Sequence, residues 1–139
     1  MDYRIDFDPT HKVIRLTVTA RVVTLRMAED CYMSLARLAS SGGPYAAIYD
    51  LSRATSTTLS TDMVRCYGRH LSAIPPGRTH VVVGKEPSIH ELARIFQMCR
   101  EFRKGDKFEV VQSLEQSYEV VGVRPEDFTV HLFPKDVAA

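Results

Sequence analysis

Two segments near the amino terminus alternate apolar and polar residues, which is the pattern of strands with one buried face. Tyr3, Ile5 and Phe7 are the apolar positions of the first segment, and residues 12–19 form the second. Asp8-Pro9-Thr10 lies between the two segments and has the composition of a turn. The pattern therefore predicts that the chain opens with an antiparallel hairpin.

Apolar residues then recur at helical spacing, in stretches that carry start and stop signals. Thr24 is placed to cap a helix that begins at Leu25 and continues to about Ser40. Gly42-Gly43 are expected to end this helix. A second predicted helix runs from about Ser60 to Ser72, and the stiff connector Ile74-Pro75-Pro76-Gly77 follows it because proline cannot continue a helix.

Two capping boxes predict the starts of two further helices. In each box a serine precedes an acidic or amide residue by three positions: Ser88 precedes Glu91, and Ser113 precedes Gln116. Glycines are expected to end both helices. These glycines are Gly105 and Gly122, and the apolar face of the longer helix comprises Ile89, Leu92, Ala93, Phe96, Cys99 and Phe102.

Short apolar runs between these helices predict parallel strands at residues 45–50, 79–83 and 108–111. The predicted order is ββαβαβαβα, an α/β fold whose mostly parallel central sheet carries an antiparallel hairpin and packs against helices. The tail, Phe128 to Phe133, is expected either to add an edge strand or to pack as an extended arm. The chain is interpreted as one domain over 1–139, with its core at about 3–121 and a carboxy-terminal extension at 122–139.

Composition narrows the range of partners. The chain has eighteen basic and seventeen acidic residues, a balance that does not favour a nucleic-acid partner. No apolar run is long enough for a spanning helix, and the charged amino terminus does not have the form of a signal peptide. The three cysteines are dispersed and form no CxxC pair, which favours a reducing compartment. We therefore expect a cytoplasmic protein that does not insert into membranes.

The segment after the strand at 45–50 is the first candidate site, because α/β sheets place their chemistry at the carboxyl ends of strands. The strand ends at Asp50, and six hydroxyl side chains follow between Thr55 and Thr61. Hydroxyls at this position either cap the next helix, bind an anion or accept a phosphate. The candidate partner-binding residues here are Asp50, Ser52, Arg53, Ser56, Thr58 and Ser60.

The loop after the strand at 79–83 is the second candidate site. Lys85, Ser88 and His90 lie there, and parallel order should place them at the same sheet edge as Asp50. Together with Arg53 they could surround a small anion, or they form a polar, solvated rim. The Gly84-Lys85 pair lacks the other residues of a phosphate-binding P-loop.

The predicted order, together with Asp50-Leu51-Ser52, resembles the STAS domain, the sulphate transporter and anti-sigma-factor antagonist family. In that family a later Asp-Ser-Ser-Gly motif carries a phosphoserine that switches partner binding. Here that motif falls on Thr58-Leu59-Ser60-Thr61, so Leu59 stands at the phosphoserine position and Ser60 is adjacent. The carboxy-terminal half, with Ile74-Pro75-Pro76-Gly77, is similar to bacterial STAS-like proteins related to the CRAL/TRIO lipid-transfer fold.

The resemblance implies a non-enzymatic regulatory domain that binds a protein partner. The alternative is a small-ligand, lipid or anion binder, and an enclosed apolar cavity is the feature that distinguishes it. A hydrolase or transferase requires Asp50, Ser52 and His90 within hydrogen-bond reach of one another. The spacing of the five histidines predicts no metal site, and no motif predicts a cofactor. A homodimer is expected only if an edge strand at residues 3–7 or in the tail pairs two copies.

Overall fold

The computed structural model describes residues 2–40, 45–70, 78–100 and 107–132. The predicted hairpin is formed by β1 (Tyr3–Asp8) and β2 (Val13–Val18), with Ile5 opposite Leu16. The carboxylate of Asp8 closes the turn between them, because its Oδ1 accepts hydrogen bonds from the backbone N–H groups of Thr10 and His11 at 2.9 and 3.1 Å. The expectation of an antiparallel hairpin is confirmed.

In the described residues, four α-helices alternate with the remaining main strands. Their bounds are α1 (Leu25–Ala39), β4 (Ala46–Asp50), α2 (Thr61–His70), β6 (Thr79–Val83), α3 (Pro87–Arg100), β7 (Lys107–Val111) and α4 (Leu114–Val121). Three shorter strands are β3 (Val22–Val23), β5 (Ser56–Thr57) and β8 (Val130–Leu132). Within the described ranges, none of these helices has the length and apolar character needed to cross a membrane.

The main sheet has six strands in the order β7-β6-β4-β2-β1-β8. Strands β2, β4, β6 and β7 are parallel, whereas β1 is antiparallel to both of its neighbours. This arrangement confirms the predicted α/β class with its antiparallel hairpin. The tail forms the edge strand β8, which is one of the two arrangements expected for it, and β1 lies inside the sheet between β2 and β8. The two-residue strands β3 and β5 pair separately, and they were too short to be predicted.

Three of the four helix starts follow the predicted capping. Thr24 accepts a hydrogen bond from the N–H of Met27, and Ser60 accepts one from Met63 at the start of α2. Ser113 and Gln116 form the complete capping box of α4, and Gly122 ends that helix with φ at 81°. The Ser88 capping box is wrong because α3 already begins at Pro87, a residue that suits the first helical turn.

Several predicted boundaries fall outside the described residues. These are the stop signal Gly42-Gly43, the connector at 74–77, the end of α3 with Phe102 and Gly105, and Phe133 of the tail.

Helices cover both faces of the sheet. One face carries Ile5, Leu16 and Ala47 and packs against α1 and α3. The other face carries Ile48 and Val83 and packs against α4 and the segment that follows it. Tyr118, Val123 and Phe128 are buried in this second cluster, so the carboxy-terminal extension contributes to the core. The central strand β4 is buried on both faces, as its uninterrupted apolar sequence predicted.

Gly68 allows α2 to pack closely on α3. A Cβ atom at this position would lie 2.7 Å from Cβ of Cys99 and 3.2 Å from the carbonyl oxygen of Phe96. Both distances are shorter than normal van der Waals contacts. A side chain at residue 68 therefore forces the two helices apart.

We expect Gly68→Ala to lower the free energy of unfolding by about 1–3 kcal/mol, because overpacking at a helix contact outweighs the higher helix propensity of alanine. Urea denaturation measures this change. Cys66→Ala is the matched control, since Cys66 is exposed on the same helix and its substitution should change stability by less than about 0.5 kcal/mol. Equal stability of Gly68→Ala and the wild type would contradict the close packing of α2 on α3.

Candidate functional site

The two predicted loops lie at the same edge of the sheet. Asp50 ends β4 beside Val83, the last residue of β6. The backbone N–H of Leu51 donates to the carbonyl of Val83 at 2.9 Å, and the N–H of Gly84 donates to Val111 at 3.0 Å. The parallel order thus brings the ends of β4, β6 and β7 together, as expected for an α/β sheet.

Asp50 has a structural role at this edge. Its side chain is buried, and Oδ1 accepts a hydrogen bond from the backbone N–H of Ser52 at 3.0 Å. This is the local turn that aspartate often forms with the residue two positions later. Ser52 is half-buried and Arg53 is exposed, so Arg53 is the charged group of this loop that faces solvent.

Hydrogen bonds connect the hydroxyl-rich run, residues 55–61, to the β3 segment and to the start of α2. The hydroxyl of Thr57 donates to the carbonyl of Val23 at 2.8 Å, and that of Thr55 donates to Arg21 at 3.3 Å. Ser60 is the N-cap of α2, which is the capping role predicted for one of these hydroxyls. Ser56 and Thr58 are exposed, and the backbone N–H of Thr58 donates to Val23 at 3.0 Å.

The second loop is open to solvent except at His90. Lys85 and Ser88 are exposed, whereas His90 is half-buried and its Nδ1 lies 3.1 Å from the carbonyl oxygen of Gly84. Gly84 itself lies against the start of α3, since a Cβ there would be 3.2 Å from Cα of His90. Among the described residues, no hydrogen bond links Asp50, Ser52 and His90 into the cluster that a hydrolase or transferase requires.

A further structural feature lies beneath these loops, between the sheet and helices α1, α2 and α3. It is an apolar cavity of about 270 Å³ that is partly open to the surface. The sheet contributes Leu16, Tyr49, His80, Val82 and Phe108 to its wall. The helices contribute Met27, Ala28, Cys31, Tyr32 and Leu35 from α1, Val64 and Tyr67 from α2, and Ile89, Leu92, Ala93 and Phe96 from α3.

Aromatic rings form much of the sheet side of the cavity. The Tyr49 and His80 rings are stacked with centroids 6.1 Å apart, and the Tyr49 hydroxyl lies 3.1 Å from Nδ1 of His80. The Phe96 and Phe108 rings meet with centroids 5.2 Å apart. The Tyr49 hydroxyl and Nδ1 of His80 satisfy each other in this pair.

The cavity is an unfavourable environment for charge. Burial raises the pKa of the Cys31 thiol to about 12, and the negative charges of Asp30 and Asp2 add to this effect. Cys31 is therefore a neutral thiol that packs as an apolar group, in agreement with the interpretation of its sequence position. Apolar packing therefore explains why a cysteine occupies this position, without a disulfide partner or an activating base.

The opposite face of the sheet holds a buried polar network centred on Asp6 and Arg15. Asp6 accepts from Arg15 at 2.9 Å, and Nδ1 of His131 lies 2.6 Å from its other oxygen. Arg15 also donates to the hydroxyl of Tyr118 at 2.7 Å, and its guanidinium lies 4.4 Å from the centre of the Phe128 ring. The network thus connects β1, β2, β8, α4 and the segment that follows α4.

The charges of this network stabilise one another. Burial on its own raises the pKa of Asp6, but the hydrogen bonds from His131 and Arg15, with the charges of Arg15 and Arg4, outweigh burial and lower that pKa below its ordinary value. Burial likewise lowers the pKa of Arg15, and the bonds to Asp6 and Tyr118 raise it overall. Asp6 and Arg15 therefore form a charged pair over the ordinary pH range.

A small acidic cluster lies at the hairpin turn. Ligand-type atoms of Asp8, His11 and Asp127 lie within 4.8 Å of one another. The Oδ2 atom of Asp8 is already 2.7 Å from Nδ1 of His11, and Oδ1 accepts two backbone hydrogen bonds. These hydrogen bonds close the hairpin turn, and this explains why the side chains of the cluster lie close together.

No pattern in the sequence indicates the cavity as a whole. Its residues come from separate elements, and each one reads as an ordinary core position on its own strand or helix. The pairing of Asp6 with Arg15 was detectable in principle, because hairpin register places these residues opposite each other. The contacts of Tyr118 and His131 were not detectable from the sequence, because only the tertiary fold brings these residues to the Asp6–Arg15 pair.

We expect the stability of the protein to fall in acid partly through Asp6. Because its pKa is lowered by folding, its contribution is fully present above its ordinary pKa and is lost as the pH falls through the lowered folded-state pKa. At neutral pH, Asp6→Asn should lower the free energy of unfolding by about 3–5 kcal/mol, since Arg15 is left without its charged partner. The variant should also lose less stability than the wild type between neutral and acidic pH.

Chemical denaturation at several pH values measures both effects. Asp62→Asn is the matched control, because Asp62 forms an exposed ion pair with Arg65 and the stability change there should be small. An acid transition that is unchanged in Asp6→Asn would show that the Asp6 network does not contribute to the pH dependence.

Comparison of the chain with protein-family models, curated proteins and solved structures gave no match. The resemblance to the STAS domain therefore remains a prediction from the element order and from Asp50-Leu51-Ser52.

Proposed function

We propose that the protein binds a small apolar molecule in the cavity between the sheet and helices α1 to α3. The observation that carries this proposal is the cavity itself, which lies where a solid core is normally found. An enclosed apolar cavity was expected to distinguish a ligand binder from a switch domain, and the cavity found here is apolar but partly open to the surface. The sites of small ligands in proteins are usually concave, mostly apolar and largely formed before binding.

The energetic cost of an empty cavity supports the proposal. At about 24 cal/mol per Å³ of unfilled core, a fully closed volume of 270 Å³ would cost on the order of 6 kcal/mol, which is an upper limit for this partly open cavity. This is comparable with the whole net stability of a typical domain, which is about 5–15 kcal/mol. Apolar cavities do not recover this energy by taking up water, because water finds no polar partners there. An apolar ligand restores the missing contacts.

The size of the cavity limits the ligand. An engineered cavity of about 150 Å³ accommodates benzene, so a volume of 270 Å³ suits roughly ten non-hydrogen atoms. A long-chain lipid exceeds this volume, and only part of its chain could be enclosed. The proposed ligand is therefore a small ring system or a short branched chain.

We expect indole to bind in this cavity with a dissociation constant of about 0.1 mM, the range typical of a ligand with about nine non-hydrogen atoms. Ala28→Phe should weaken this binding at least about tenfold, because the new ring occupies the cavity from α1. The same change should leave stability equal or higher, since it fills a void. Isothermal titration calorimetry and thermal unfolding measure the two quantities.

Met33→Phe is the matched control, because Met33 is exposed on the same helix and lies outside the cavity wall. Its binding of indole should equal that of the wild type. If Ala28→Phe binds indole as the wild type does, the cavity is not the binding site.

Regulatory protein binding by a STAS-like domain is the second candidate, and it was the leading expectation from the sequence. The observation that favours it is the exposure of Arg53, Ser56, Thr58, Lys85 and Ser88 at one sheet edge. Ser60, beside the family's phosphoserine position, caps α2 through its hydroxyl. A phosphate at this helix start would meet the favourable end of the helix dipole.

A partner that binds at this edge should be lost when Arg53 is replaced by glutamate, because a charge at the centre of an interface is reversed. Chemical cross-linking in cells, followed by mass spectrometry, identifies such a partner and the residues it contacts. Lys107→Glu is the control, since Lys107 is exposed at the opposite end of β7. Equal cross-linking by the wild type and by Arg53→Glu would remove the Asp50–Asp62 region as the partner surface.

A further inference from the structure

The described wall of the cavity contains no formal charge. None of its described residues is a lysine, arginine, aspartate or glutamate. An ionised group placed inside would lose its hydration without gaining a partner of opposite charge, which is strongly unfavourable. The raised pKa of Cys31 is consistent with this property of the wall. The enclosed part of the ligand is therefore uncharged.

The surface side of the cavity lies along helices α1 and α2. Ala28, Tyr32 and Tyr67 are half-buried lining residues on these two helices, whereas the sheet side includes the buried Leu16 and His80. Ala28 and Tyr32 come from α1, and Tyr67 comes from α2. A ligand that enters the cavity passes these side chains.

A carboxylate lies at this rim. The Tyr67 hydroxyl donates to Oε1 of Glu29 at 3.4 Å, and Glu29 is exposed between the lining residues Ala28 and Tyr32 in sequence. Partial burial and the charge of Glu29 both raise the pKa of Tyr67. Because a carboxylate has several lone pairs, Glu29 keeps the capacity to accept a further hydrogen bond. It repels an anionic group and attracts a hydrogen-bond donor.

We propose that the ligand is a small uncharged aromatic molecule with a hydroxyl or N–H donor, bound with its ring against Tyr49, Phe96 and Phe108 and its donor toward Glu29. This inference rests on the proposed function and specifies the ligand class. Ring faces on the sheet side favour an aromatic ligand over an aliphatic chain. The carboxylate at the rim selects against fatty acids and other organic anions, which are the obvious alternative occupants of an apolar cavity.

The test compares 2-naphthol with 2-naphthoate, which share one ring system and differ in the charge of the head group at neutral pH. The protein contains no tryptophan, so the fluorescence of either probe can be followed directly. We expect 2-naphthol to bind at least about tenfold more tightly than 2-naphthoate, because only the latter must desolvate a charge. In Glu29→Gln this ratio of affinities should fall about threefold, because 2-naphthoate is no longer repelled by the charge of Glu29. The change is only about threefold because solvent partly screens that charge.

Glu115→Gln is the matched control, because Glu115 is exposed on α4 at the opposite face and should leave the ratio unchanged. Thermal unfolding verifies that each variant is folded. Equal affinity for the two probes would overturn the proposed ligand class while leaving the cavity as a binding site. An unchanged ratio in Glu29→Gln would overturn the role of Glu29. Failure of indole and both naphthyl probes to bind would overturn the proposed function as well.

Discussion

The burial of β4 on both faces is the constraint on which the rest of the structure depends. Ala46, Ala47 and Ile48 carry no polar side chain, so both faces of the strand must be covered. Helices α1 and α3 cover one face, and α4 with the following segment covers the other. Because β4 and β6 run parallel, the loops that follow them lie at one edge of the sheet.

The two covered faces differ in how they are filled. On the face of α4, large aromatic side chains and the Asp6–Arg15 pair fill the space completely enough to bury charged groups with partners. On the other face an apolar volume remains between the sheet and helices α1 to α3, where small residues such as Ala28 and Ala93 line it. The first face is thus filled by specific contacts, whereas the second face contains a cavity.

The element order, the parallel sheet and most helix caps were predictable, because each depends on a local pattern such as Thr24 before an apolar helix or Ser113 before Gln116. The start of α3 was misplaced because Pro87 and Ser88 both carry helix-start signals. The shared edge of Asp50 and Lys85 followed from topology. The cavity was beyond prediction, because it depends on the distances between helices, and no single position in the sequence reports those distances.

The edge strand β8 also has a consequence for folding order. His131 contacts Asp6 across a separation of 125 residues, so the second partner of β1 is the last of the described strands to be synthesised. During translation the hairpin can form early, but its outer edge stays unpaired until nearly the whole described chain has emerged. Closing such a long loop is slow, and the free edge of β1 is then a place where nascent chains can associate. Pairing of β8 with β1 therefore ends this exposure during synthesis.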